Sequence, residues 1–205
     1  MPTRIAIQGG SLSVSVDDWD LLGRARPDNA VVGSFWLDRY EVTERGWAEC
    51  AHAGKCSARD YGEAGLPVSS ISAEAAAGYC AFRAGRLPTL AEWLWAARGA
   101  DGRRYPWGSF GLVCRRAVFG LQSGPCGEAG VSPDVPGSRP DGASPEGVED
   151  LAGNVAEWVV TQSPNSYAAA GGSFVSRVAA ELKSSGTEEL KGPRVDVGFR
   201  CAYDH

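Results

Sequence analysis

A chain of 205 residues with 43% hydrophobic and 22% charged residues is long enough to bury a sizeable core without a metal or disulfide to create it, and is expected to form one domain over 1–205. Its 20 Lys and Arg stand against 25 Asp and Glu, a net charge of −5 with no basic block, which argues against nucleic acid and an anionic membrane surface as partners. Only two histidines occur, His52 and His205. Zinc hydrolases, two-His iron oxygenases and haem proteins need histidines that this sequence lacks.

The alternation of Ile5, Ile7, Leu12, Val14 and Val16, broken at Gly9-Gly10, predicts a strand or hairpin arm, with a polar surface loop at 17–29 and a second strand at 31–38. Thr43 is placed to cap a helix from Glu44 to about His52 that Gly54 ends. Ser72 is placed to cap a second helix over 73–84, with Ala76, Tyr79, Cys80 and Phe82 on its apolar face. Thr89 and Glu92 have capping-box spacing, so a third helix runs to about Arg98 with Trp93, Leu94 and Ala97 inward. From 99 to 145 Gly, Pro, Ser and Asp dominate with no helical period. Such a stretch is uncommon unless cross-links or an ion hold it. Short strands are then expected at 155–160, 173–175 and 197–202. No run approaches the roughly 18 apolar residues of a membrane span.

Gly and Pro make up 39 residues, while seven Trp accompany one Met, which suggests irregular segments pinned by large rings. The six cysteines, Cys50, Cys56, Cys80, Cys114, Cys126 and Cys201, allow fifteen pairings. Glycine-containing intervals favour local bridges Cys50–Cys56 and Cys114–Cys126, leaving Cys80 with Cys201; six buried thiols in a cytosolic protein are the alternative. Paired cysteines imply an oxidising compartment, extracellular or periplasmic. The N-terminal residues have no apolar stretch of signal-peptide length, so an export signal would lie outside this sequence.

Several blocks, in order, carry a resemblance: Phe35-Trp36-Leu37-Asp38-Arg39-Tyr40-Glu41-Val42-Thr43, Arg86-Leu87-Pro88-Thr89-Leu90-Ala91-Glu92-Trp93, Tyr105-Pro106-Trp107-Gly108, Gly147-Val148-Glu149-Asp150-Leu151-Ala152-Gly153-Asn154-Val155-Ala156-Glu157-Trp158, Gly171-Gly172-Ser173-Phe174 and Val197-Gly198-Phe199-Arg200-Cys201. Together they resemble the formylglycine-generating enzyme family over most of the chain. The resemblance implies an α+β, irregular, loop-rich C-type-lectin-like fold, and it supports the pair Cys80–Cys201. That fold also serves variable ligand-binding proteins, but the Asn-rich variable stretch expected of them is missing here.

In the family's enzymes two cysteines after Gly-Gly-Ser bind copper(I) and oxidise a substrate cysteine. Those positions fall here on Ser176 and Glu181. A hydroxyl and a carboxylate do not replace soft thiolates. The family's iron-dependent branch uses histidines of a further domain. No copper, iron or zinc is therefore expected. The resemblance implies one calcium site, with side-chain oxygens from Asp150 and Glu157 and carbonyls from Gly153 and Val155, while a second family site expects Asn where Ala117-Val118-Phe119 stands. The segment 176–193, with Ser176, Glu181, Lys183 and Glu188, occupies the family's groove region and reads as an exposed binding surface. The expected function is a non-catalytic module recognising a protein or carbohydrate. The alternative is an enzyme, or enzyme subunit, of different chemistry, whose mark would be titratable groups converging in a pocket. Asp134, Asp141, Glu146, Glu181 and Asp196 are the candidates.

Overall fold

The structure, a computed structural model, describes residues 3–15, 28–111, 114–120, 132–161 and 166–205. The expected loop at 17–29 lies almost entirely outside these, as does Cys126. The described elements are β1 (Arg4–Ile7), β2 (Gly10–Val14), β3 (Asp28–Val32), β4 (Phe35–Asp38), α1 (Glu44–His52), α2 (Ala73–Phe82), α3 (Leu90–Arg98), β5 (Ala156–Val160), β6 (Tyr167–Ala170), β7 (Thr187–Glu189), β8 (Val197–Gly198) and β9 (Ala202–Tyr203), with 3-10 turns at Pro140–Gly142 and Ala179–Leu182. The fold is mixed α and β, with few helices and several small sheets, as expected.

The three helices begin where their caps dictate. Thr43 Oγ1 accepts from the Gly46 N–H at 3.3 Å and Ser72 Oγ from that of Ala75 at 3.2 Å. Thr89 and Glu92 form the reciprocal capping box, and Glu92 also holds Arg86 in two hydrogen bonds. Glu92 is thus a capping and ion-pairing carboxylate. Helix α2 is two residues shorter than expected. Ala84 turns into the left-handed region at φ 59°, and Phe82 is 40% exposed instead of lying on the inner face.

β1, β4 and β9 form one antiparallel sheet, β2 and β3 a hairpin, and β7-β6-β5-β8 a four-stranded sheet in which β5 and β8 run parallel. Three strand expectations need correction. The run 31–38 breaks at Gly33-Ser34 into β3 and β4, which join different sheets. The run 197–202 supplies two short strands instead of one, and 173–175 forms a turn closed by the Ser176 N–H on the Ser173 carbonyl.

The core has two main bodies. One packs Trp47, Tyr79 and Phe199 beneath α1 and α2, with Trp47 and Tyr79 stacked at 5.9 Å. The other gathers Phe35, Leu37, Trp93, Leu151 and Val159 beneath α3. The tryptophans tie the irregular chain to these bodies, because a buried indole needs a partner for its N–H. Trp47 donates to the Ser57 carbonyl, Trp95 to Gln8, Trp107 to Phe110 and Trp158 to Ile71. Disulfides Cys50–Cys56 and Cys80–Cys201 are present. Cys114 is also disulfide-bonded. Among the described residues no helix is long and apolar enough to cross a membrane.

Candidate functional site

Gly171-Gly172-Ser173 leads β6 into the turn that builds the site. Gly172 lies at φ 66°, and a Cβ there would sit 2.5 Å from the Glu181 carbonyl oxygen, so the turn and the Ala179–Leu182 segment approach through a position only glycine fills easily. Between them and β7 opens a pocket of about 280 Å³. Ser173, Ser176, Glu181, Glu188, Arg194 and Asp196 line its polar side, with Ala156, Ala169 and Val175 among its apolar lining.

The polar side is one connected network. Arg194 reaches Asp196 through Nε at 2.7 Å and Nη2 at 3.0 Å, and Glu188 through Nη1 at 2.9 Å. The Ser173 hydroxyl donates to Asp196 Oδ2 at 2.7 Å. The Ser173 N–H donates to Ser176 Oγ at 2.9 Å, and the Arg177 N–H to Glu181 Oε2 at 2.8 Å. Each carboxylate is therefore held in place by a named donor.

Three of the four residues expected at the binding surface, Ser176, Glu181 and Glu188, meet in this pocket. Lys183 does not line it. It is buried, and so are Ser184 and Ser185, which corrects the expectation that this stretch is exposed. Of the five candidate acids only Glu181 and Asp196 converge. Asp134 pairs with Arg139, Asp141 with Arg115 and Glu146 with Arg103. Sequence reasoning missed Ser173 and Arg194. The available signal was an opposite-charge pair at spacing two, Arg194 and Asp196, just before Val197.

A second cluster backs the pocket. The Phe174 N–H donates to the Asn154 carbonyl, and the Gly153 N–H to that of Gly171, so the pocket turn is joined directly to the loop 150–155. Asp150 and Asn154 hold left-handed backbone at φ 59° and 58°, conformations a non-glycine residue adopts at a cost. Asp150 Oδ2 accepts from the Gly137 N–H at 2.6 Å. Glu41 accepts from the Asn154 side chain at 2.5 Å and the Val155 N–H at 3.1 Å. Glu157 gives both oxygens to Arg200, each at 2.7 Å, and Oε2 also takes the Trp93 indole N–H. Arg39 pairs with Glu149.

Four buried acidic side chains, Glu41, Glu149, Asp150 and Glu157, thus face two cations, Arg39 and Arg200, so the acids outnumber the cations by two. Burial pushes Asp150 up to about 6, against the Gly137 hydrogen bond. Burial, then the charges of Asp150 and Glu157, push Glu41 well above the usual carboxylate range. The residues expected to hold calcium divide accordingly. Asp150 sits in the loop 150–155 with the carbonyl-bearing positions Gly153 and Val155, while among the described residues no three His, Cys, Asp or Glu are grouped to hold a metal ion. Glu157 is committed to an ion pair.

A family model described as the sulfatase-modifying factor enzyme 1-like domain matches residues 1–205. The chain belongs to this family. Among its curated relatives, inactive C-alpha-formylglycine-generating enzyme 2 of Mus musculus is 33% identical over 156 residues, covering 67% of this chain and 49% of that protein. The formylglycine-generating enzyme of Streptomyces coelicolor is 30% identical over 212 residues, covering 88% and 66%. Hercynine oxygenase of Mycobacterium tuberculosis is 31% identical over 141 residues, covering 60% and 31%. The chain therefore spans half or less of the mouse and mycobacterial relatives. Family members carry the names of enzymes and of an inactive homologue, so membership alone does not fix activity. Two solved structures share the fold over 98% of this chain, each at 17% identity: Treponema denticola variable protein 1, TM-score 0.77 over 95% of its length, and PvdO from Pseudomonas aeruginosa, 0.76 over 94%.

Proposed function

We propose that this sulfatase-modifying factor enzyme 1-like chain is a non-catalytic binding module whose ligand enters the pocket formed by Ser173, Ser176, Glu181, Glu188, Arg194 and Asp196. One observation carries the reading. The two positions that the family resemblance assigns to copper-binding cysteines, Ser176 and Glu181, both line this pocket, and neither offers a thiolate. The donor set does not fit copper(I), which takes soft sulfur ligands. What remains is a lined, rigidly braced cavity suited to recognition.

The test is a ligand-observed NMR fragment screen on the wild type and on Val175→Trp, which fills the pocket from its apolar side. Hits present in the wild type and lost in the variant are expected. Hits that persist in the variant would move the ligand site elsewhere. The convergence of Glu181, Glu188 and Asp196 favours a second reading, an enzyme of different chemistry. Chemical conversion of any pocket-bound hit would establish it.

The disulfides support an extracellular or periplasmic location for this module. We also infer that one calcium ion binds beside the crowded buried acids around Asp150, with Gly153 and Val155 contributing carbonyls. Calcium at about 100 times its dissociation constant is expected to add about 2.7 kcal/mol of stability. In chelator the sign of the pH dependence is fixed by the raised carboxyls. Asp150 binds its proton more tightly folded than unfolded, so its contribution is fully favourable below about pH 4 and is lost as pH rises through about 6; burial shifts Glu41 in the same direction. Calorimetry in chelator should show the melting temperature falling across that window, with calcium restoring it above pH 6. A calcium-independent melting temperature at pH 7 would remove the ion from the account.

A further inference from the structure

An aspartate followed by glycine can rearrange its own backbone, because glycine has no side chain to keep its amide nitrogen from the preceding carboxyl. The sequence holds two such pairs, Asp101-Gly102 and Asp141-Gly142. Both carboxyls are open to water, with side-chain exposures of 68% for Asp101 and 57% for Asp141. Both are also ion-paired, Asp101 with Arg103 and Asp141 with Arg115, each at 3.1 Å. Access and charge therefore do not separate them. The glycine that follows does.

The Gly142 N–H donates to the Arg139 carbonyl at 2.8 Å within a 3-10 turn, and Gly142 is buried. A Cβ there would run into the Arg116 carbonyl oxygen, so a neighbouring stretch of chain closes over the position. The Gly102 N–H reaches only the Gly99 carbonyl, at 3.5 Å, beyond the usual length of an amide hydrogen bond. Gly102 lies at φ 66°, and a Cβ there would find a single atom, Arg98 Nη2, at 3.6 Å. Its nitrogen is therefore weakly held in an open turn. Arg103 Nη1 sits on Asp101 Oδ1, where it can stabilise the negative charge that this oxygen takes up when a nitrogen adds to Cγ.

We propose that Asp101 is a site of spontaneous isomerisation to isoaspartate, and that the fold protects Asp141 from the same reaction. The Gly102 nitrogen adds to Cγ of the protonated Asp101 carboxyl and gives up its proton. The N–Cγ bond forms, a Cγ–O bond breaks, and one water leaves. The succinimide takes one water back at either carbonyl, which yields aspartate or an isoaspartate whose main chain runs through the former side chain. The isomer lengthens the turn 99–103 that closes α3, where the Arg103 N–H meets the Arg98 carbonyl at 2.9 Å, and shifts the carboxylate from its place on Arg103.

The experiment holds the folded chain at neutral pH below its melting temperature and maps its peptides over time by electron-transfer fragmentation, which separates isoaspartate from aspartate. Isoaspartate is expected at 101 at least about fivefold faster than at 141, the factor set by freeing one ordinary hydrogen bond. In urea the two rates should converge. Asp101→Glu keeps the carboxylate but would need a six-membered ring, so no rearranged product should form at that position. Absence of isoaspartate at 101 overturns the proposal, as does formation at 141 that is equally fast or faster. A difference that survives unchanged in urea belongs to the flanking residues and overturns the protection assigned to the fold.

Discussion

Replacing Arg200 with methionine is expected to destabilise the protein by about 3–5 kcal/mol, the usual cost of leaving one member of a buried ion pair alone. Arg200 is 0% exposed. Besides its two bonds to Glu157, it donates to the backbone carbonyls of Asp38, Arg39 and Glu149. Removing it leaves the buried Glu157 without its cation and takes a donor from each of those carbonyls, of which that of Arg39 keeps the Glu149 N–H. For a chain of this size the melting temperature should fall by roughly 10 °C. Arg200→Lys should recover little, because an ammonium cannot reproduce the planar fork. Adding Glu157→Leu to Arg200→Met should recover part of the loss, since the stranded charge goes with it. The recovery stays partial because the Asp38 and Glu149 carbonyls still lack the Arg200 donors and the Trp93 N–H loses its acceptor. A loss below about 1 kcal/mol for Arg200→Met, the net worth of one ordinary hydrogen bond, would refute the central role given to this pair.

The second large effect is expected at Cys80–Cys201, which joins residues 121 positions apart. In the chain-entropy model a loop of that length contributes about 5 kcal/mol, against about 2 for the six-residue separation of Cys50–Cys56. Cys80→Ala with Cys201→Ala should therefore cost more than twice as much in denaturant unfolding as Cys50→Ala with Cys56→Ala. Equal losses would mean that the long bridge acts through local packing and not through restriction of the unfolded chain.

Local chemistry made part of this fold legible. Thr43, Ser72 and Thr89 are side-chain acceptors three residues ahead of a free N–H, and that pattern fixes where each helix starts whatever surrounds it. The helix end at Phe82 was less readable, since Ala84 adopts left-handed backbone that alanine disfavours and only its surroundings impose. Strand β6 was missed because Tyr167-Ala168-Ala169-Ala170 favours helix locally. It is a strand because β5 and β7 hydrogen-bond to it on either side. The pocket showed the same division. Ser176, Glu181 and Glu188 could be singled out from position alone. Ser173 and Arg194 could not, because their roles depend on a turn at Gly172 and on the chain returning beside it at Asp196. Glu157 shows the converse: the family resemblance implied an ion ligand there, and its pairing with Arg200, 43 residues later, was not legible in the sequence.

The segment 197–203 carries β8, Arg200, Cys201 and β9, and so supplies a sheet edge, the cation of the central ion pair, one half of the long bridge and the third strand of the β1-β4-β9 sheet. A nascent chain that has not yet released this segment holds an uncompensated Glu157 and an incomplete core. Folding of this domain during synthesis should therefore stall until residues 197–203 emerge, and the residues before them should stay open to chaperone binding until then.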